Sequence, residues 1–105
     1  MTSLGIKAFA REDYSRAETL LRDALRVDRD NILAAWNLSR VYYSQGRNDD
    51  AVSYIKYALT LARRLPHQEG KRAAMEITKD LERIQREART GLSVPVYGLM
   101  QSSCR

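Results

Sequence analysis

Residues 35–61 run AWNLSRVYYSQGRNDDAVSYIKYALTL. Bulky side chains crowd this stretch: Trp36, Leu38, Tyr42, Tyr43, Tyr54 and Ile55. Ser39, Ala51 and Ala58 stay small, at spacings that a single helix does not explain. Two helices joined by a turn do explain them, one over residues 31–45 and one over residues 48–64. Gly46 suits the left-handed position that ends the first helix. Asp30 is placed to cap the first helix and Asn48 the second. A turn this short makes the two helices antiparallel neighbours. Ser39 and Ala51 then face one another, and their small size lets the two backbones approach closely. Ala58 lies one face around and marks where a further helix packs.

The same pattern recurs 34 residues upstream. Leu4 aligns with Leu38, Gly5 with Ser39, Phe9 with Tyr43, Ala17 with Ala51, Leu21 with Ile55, Ala24 with Ala58, Leu25 with Leu59 and Val27 with Leu61. Large residues meet large ones and small meet small, which is an internal repeat. The upstream unit predicts helices over residues 2–11 and 14–27, the second capped by Asp13. One hairpin cannot cover its own apolar faces, so the units must stack.

Leu38–Ser39, Tyr42, Gly46, Ala51, Ile55 and Ala58, with Leu4–Gly5, Tyr14, Ala17, Leu21 and Ala24 in the upstream unit, closely resemble the signature of the tetratricopeptide repeat. The resemblance covers residues 1–64. The chain departs from the family pattern in three places. Arg29 and Arg63 stand where the family has proline, Trp36 stands one place late for the aromatic of the first helix, and Glu12 replaces the turn glycine in the upstream unit. The resemblance implies an all-α fold: two antiparallel helix hairpins stacked as a short right-handed solenoid.

The period fails after residue 64. A new stripe takes over, with Ala74, Ile77, Leu81, Ile84 and Ala88 spaced by three and four residues, as on one face of an amphipathic helix. Pro66 marks its boundary, and Gly70 weakens its first turn. A solenoid needs a terminal helix with a polar outer face, so this segment is expected to cap residues 48–64. Its heptad-like spacing also suits pairing with a second copy. The expected organisation is one helical domain over residues 1–90, made of repeat one (1–30), repeat two (31–65) and a capping helix (67–90). An apolar, non-helical tail follows over residues 91–105. That tail, GLSVPVYGLMQSSCR, is too apolar for a typical disordered end.

The totals bound function by exclusion. The 105 residues suffice for one domain with a modest core. Cys104 is the only cysteine, so no intrachain disulfide can form, and a reducing, cytoplasmic setting is expected. No apolar run approaches a membrane span. His67 is the only histidine and follows Pro66 in a turn, and no pair of histidines or cysteines has metal-ligand spacing. No glycine-rich phosphate loop occurs. The carboxylates mostly lie beside basic residues at helical spacing, as in Glu18–Arg22 and Glu82–Arg86. No enzyme, metal or cofactor is expected. The net charge is +5, yet the capping segment sets six cations against five carboxylates. That compensation argues against a phosphate-binding face and so against nucleic acid.

In the resembling family the first helices line a concave face that holds a partner. Carried onto this chain, that face comprises Ile6 and Phe9, then Leu33, Trp36, Asn37, Arg40, Tyr43 and Ser44. Spacing points independently to part of it: Trp36, Arg40 and Tyr43 fall at i, i+4 and i+7, beside the Leu38–Tyr42 stripe. Tryptophan, tyrosine and arginine are the types that dominate interface energy. Asn37 can bond a peptide backbone, and Arg40 can hold a carboxylate through two hydrogen bonds, which favours an acidic peptide. Trp36 also suits packing against the cap or the first helix of repeat one; the two roles coexist if one ring edge stays exposed. One subfamily clamps the C-terminal carboxylate of chaperones with Lys and Asn. Asn37 and Lys71 suit such places, but Thr2, Ile6 and His67 occupy the others and do not supply the charge. The expected function is a non-enzymatic adaptor or scaffold module binding a peptide. The alternative is a self-assembling subunit that forms a homodimer through the cap helix or the tail.

Overall fold

A computed structural model describes the backbone of residues 1–90 and the side chains of residues 1–87. The expected apolar tail, with Cys104, and the side chain of Ala88 lie outside the described residues. Five helices follow in order: α1 (Thr2–Ala10), α2 (Tyr14–Val27), α3 (Ile32–Ser44), α4 (Asn48–Arg63) and α5 (His67–Thr90). No strand occurs among the described residues. Each helix packs on the next, α1 on α2, α2 on α3, α3 on α4 and α4 on α5, with a lighter contact between α1 and α3. This is two helical hairpins in series, followed by a fifth helix laid on the second.

The small residues of the repeat occupy the places of closest packing. Ala17, Ser39, Ala51 and Ala58 are all fully buried. A Cβ on Gly5 would lie 2.7 Å from the Leu21 side chain across the first hairpin. The Ser39 hydroxyl donates to the Trp36 carbonyl at 2.5 Å, so its buried polar atom is satisfied within its own helix. Around these run the large core residues: Leu21, Leu38, Val41, Tyr42, Ile55, Ile77 and Ile84.

The turns correct part of the sequence reading. Asn31, not Asp30, caps α3, its side chain accepting from the Ala34 amide at 3.0 Å. Asn48 does not cap α4: it is the first helical residue, Arg47 stands at the cap position, and the buried Asn48 Oδ1 has no hydrogen-bond partner among the described residues. Asp13 stands at the N-cap of α2, but its side chain makes no cap hydrogen bond. Gly46 adopts φ +79°, the left-handed conformation expected of it. Glu12, its counterpart in repeat one, is forced into the same region at φ +63°. A side chain with a Cβ pays for that conformation with steric strain.

Gly70 has a positional reason. It is buried against the end of α4, where a Cβ would come within 2.5 Å of the Leu65 carbonyl oxygen and 2.9 Å of that of Ala62. The weak helix former is what lets α5 start close against α4. Of the stripe predicted for this helix, Ile77 and Ile84 are fully buried and Ala74 and Leu81 pack against the core.

The two hairpins are tied by Tyr42, which is buried at their junction. Its hydroxyl accepts from Arg22 Nη1 at 2.9 Å and donates to Glu18 Oε2 at 2.9 Å, joining α3 to α2. Arg47, just before α4, lies 4.3 Å over the same ring and 3.5 Å from Glu18. Burial pushes the Tyr42 hydroxyl above its ordinary pKa, partly opposed by the Arg22 hydrogen bond.

Candidate protein-interaction groove

Trp36, Arg40 and Tyr43 lie along one face of α3, as their spacing requires, and residues of α5 meet them. Asp80 stands three residues after the buried Ile77 and so beside the apolar stripe of α5. Trp36 Nε1 donates to Asp80 Oδ2 at 2.7 Å. Arg40 donates to the same oxygen, from Nη2 at 3.1 Å and more weakly from Nε at 3.4 Å. Arg83, one turn on, brings a guanidinium to 3.6 Å from Asp80 Oδ1. Arg40 also lies 5.0 Å over the Trp36 ring, and Arg83 lies 6.0 Å from the Tyr43 ring. The Asp80 side chain is only 15% exposed. Sheltered charge-assisted hydrogen bonds of this kind contribute on the order of 1.5–3 kcal/mol, more than an exposed ion pair.

Toward the start of α5 a cleft lies open beside α3. It measures about 410 Å³ and is lined by Trp36, Gln68, Glu69, Arg72, Ala73 and Glu76. Trp36 therefore has two roles at once. Its indole nitrogen is held by the fifth helix, while the residue also contributes to the wall of a cleft. Glu76 pairs weakly with Lys79 at 3.8 Å.

The other five residues expected on this face do not line this cleft. Ile6 and Phe9 are half-buried on α1, where the Phe9 ring lies 5.8 Å from Tyr14. Leu33 is exposed. Asn37 is buried, and its amide donates to the Leu33 carbonyl one turn back at 2.9 Å. Ser44 is half-buried at the end of α3. Of the eight, only Trp36 lines the cleft, while Arg40 and Tyr43 are engaged by α5 beside it. The α5 half of the site was not singled out from the sequence. Its only signal was periodic: Glu69, Arg72, Ala73, Glu76, Asp80 and Arg83 form the stripe beside Ala74, Ile77, Leu81 and Ile84.

No helix among the described residues is long and apolar enough to cross a membrane. Among the same residues, no group of three or more His, Cys, Asp or Glu is placed to hold a metal ion.

A serial pair of helix hairpins with small residues at the close contacts, ending in an amphipathic helix, defines a helical-repeat protein. The profile of the tetratricopeptide repeat matches residues 2–68, well over half of the chain, and the chain belongs to that family. Comparison with curated proteins gives no match. Tetratricopeptide repeats generally mediate protein–protein interaction, and the family is typically non-catalytic.

Proposed function

We propose that this protein is a non-enzymatic interaction module that holds an extended peptide segment of a partner protein in the groove between α3 and α5. In this reading residues 1–90 act as one unit, a short right-handed solenoid of repeat one (1–30), repeat two (31–65) and the capping helix (67–90). The concave face of that solenoid carries the groove, and the setting is cytoplasmic. The observation that carries the reading is the cleft at Trp36. It is concave and is lined by the aromatic Trp36 and by Ala73 together with the polar Gln68, Glu69, Arg72 and Glu76. Peptide grooves need that combination of an apolar anchor site with polar groups that fix orientation.

The experiment is selection of a displayed library of random twelve-residue peptides against the whole chain, with affinities then measured by fluorescence anisotropy. Trp36→Ala should weaken the selected peptides by more than about tenfold, as loss of an aromatic anchor does. Leu33→Ala, on the same helix but outside the cleft, should leave them unchanged. Equal loss in both variants, or in neither, contradicts the groove.

A further inference from the structure

Asp80 brings a carboxylate from α5 to the two α3 side chains best suited to grip one. Trp36 Nε1 and the Arg40 guanidinium both donate to its Oδ2, and Arg83 approaches its Oδ1. Without Asp80, Arg40 would present its planar fork beside an indole N–H, an arrangement matched to a partner's carboxylate. With Asp80 in place that position is filled from within. The open part of the cleft begins beside it, lined by Glu69, Glu76 and Arg72, with Lys79 3.8 Å from Glu76. Asp80 thus takes up the Arg40 fork, and the cleft lining adds one guanidinium, Arg72, against the two carboxylates Glu69 and Glu76.

We propose that Asp80 is the specificity-determining residue of this groove: it occupies the anion position on Trp36 and Arg40, so the groove selects neutral, apolar-anchored peptides and rejects acidic ones. The inference rests on the peptide-groove reading above and deepens it. Like-charge juxtaposition is an established means of excluding wrong partners. Here the Asp80 carboxylate, 15% exposed, is held by hydrogen bonds from Trp36 and Arg40, with the Arg83 guanidinium 3.6 Å away, so it cannot easily swing away. An acidic partner is what Arg40 alone would favour; Asp80 reverses that preference.

The test is parallel selection of the same random peptide library against wild type, Asp80→Asn, and Asp80→Asn with Arg40→Gln, each checked by thermal melting. Asparagine keeps the size of the side chain and an oxygen that can accept from Trp36, while releasing the charge. Wild type should show no enrichment of Asp or Glu. Asp80→Asn should enrich them beside the apolar anchor and bind such peptides on the order of tenfold more tightly than wild type does. The double variant should lose that gain. Arg40→Gln alone supplies an independent check, because it leaves the Asp80 charge less compensated and should shift selection toward Lys and Arg. Wild type selecting acidic peptides, or Asp80→Asn selecting the same peptides as wild type, overturns the proposal. If no variant selects any peptide above an unrelated protein, the groove reading itself falls, a result distinct from a groove that binds peptides without regard to Asp80.

Discussion

The two hairpins share a sequence pattern but not an environment. Leu38 is fully buried where α3 meets its neighbours, while Leu4, its counterpart in α1, is 52% exposed. Leu61 is 3% exposed and its counterpart Val27 is 76% exposed. Val41 and Tyr42 are buried in α3, and the corresponding residues of α1 are the exposed Lys7 and the small Ala8. Repeat two lies between repeat one and α5, so both of its faces are covered. Repeat one is covered by repeat two on one side, and it carries Lys7 and Ala8 where repeat two has the core residues Val41 and Tyr42. In a stacked protein the repeat pattern fixes the hairpin, while position in the stack decides which pattern residues are buried. The groove lies on the covered repeat, beside the helix that covers it.

The largest expected effect breaks the comparison directly. Leu38→Ala should lower stability by about 2–5 kcal/mol, the usual cost of deleting a buried leucine side chain. Leu4→Ala should change it by no more than about 0.5 kcal/mol, as at a surface position. Denaturant melts that show equal losses would mean that the N-terminal face is covered in solution. By contrast, Ala17→Leu and Ala51→Leu should cost similar amounts, about 1–3 kcal/mol each by overpacking, because both alanines are fully buried inside their hairpins. A neutral effect at either site would show that the hairpins do not need close approach there.

The turns differ by a smaller amount. Glu12 holds a left-handed conformation that costs a residue with a Cβ roughly 1–2 kcal/mol. Glycine at the same place loses about 0.5–1 kcal/mol of that advantage to chain entropy. Glu12→Gly should therefore stabilise by up to about 1 kcal/mol, and Gly46→Ala should destabilise by about the same, both read from thermal melts.

The smallest effect concerns pH and exists only in repeat two, because Ala8 takes the place of Tyr42 in repeat one. Burial raises the Tyr42 pKa in the folded chain. Its contribution is then complete below about pH 10, the unfolded value. It is lost as pH rises from there toward the folded value, because the unfolded chain releases the proton first. Tyr42→Phe should flatten this alkaline fall in stability. An alkaline slope unchanged in the variant would assign it to other groups.

How much of this was legible in the sequence follows from the range of the interactions. Both hairpins were visible because their packing rests on neighbouring helices whose small and large residues repeat at 34. The fifth helix was visible from its own stripe. The caps were less so: Asp30 and Asn31 are adjacent residues of similar chemistry, and only the backbone shows that Asn31 reaches the Ala34 amide. Trp36 and Arg40 were singled out by residue type and spacing. Their partner was not, because Asp80 lies 44 and 40 residues away and meets them only after α5 folds back on α4. Within the stripe of α5 that carries it, nothing in the sequence distinguishes Asp80 from Glu76.

Trp36 is the only tryptophan, so its fluorescence reports on the groove without a label. The most direct measurement is a titration of the whole chain with a library-selected peptide that lacks tryptophan, following the emission maximum and acrylamide quenching. The account predicts that emission shifts to shorter wavelength and quenching falls, with the same midpoint as binding measured by anisotropy of the labelled peptide. Binding at that midpoint with Trp36 emission and quenching unchanged would place the peptide elsewhere and contradict the account.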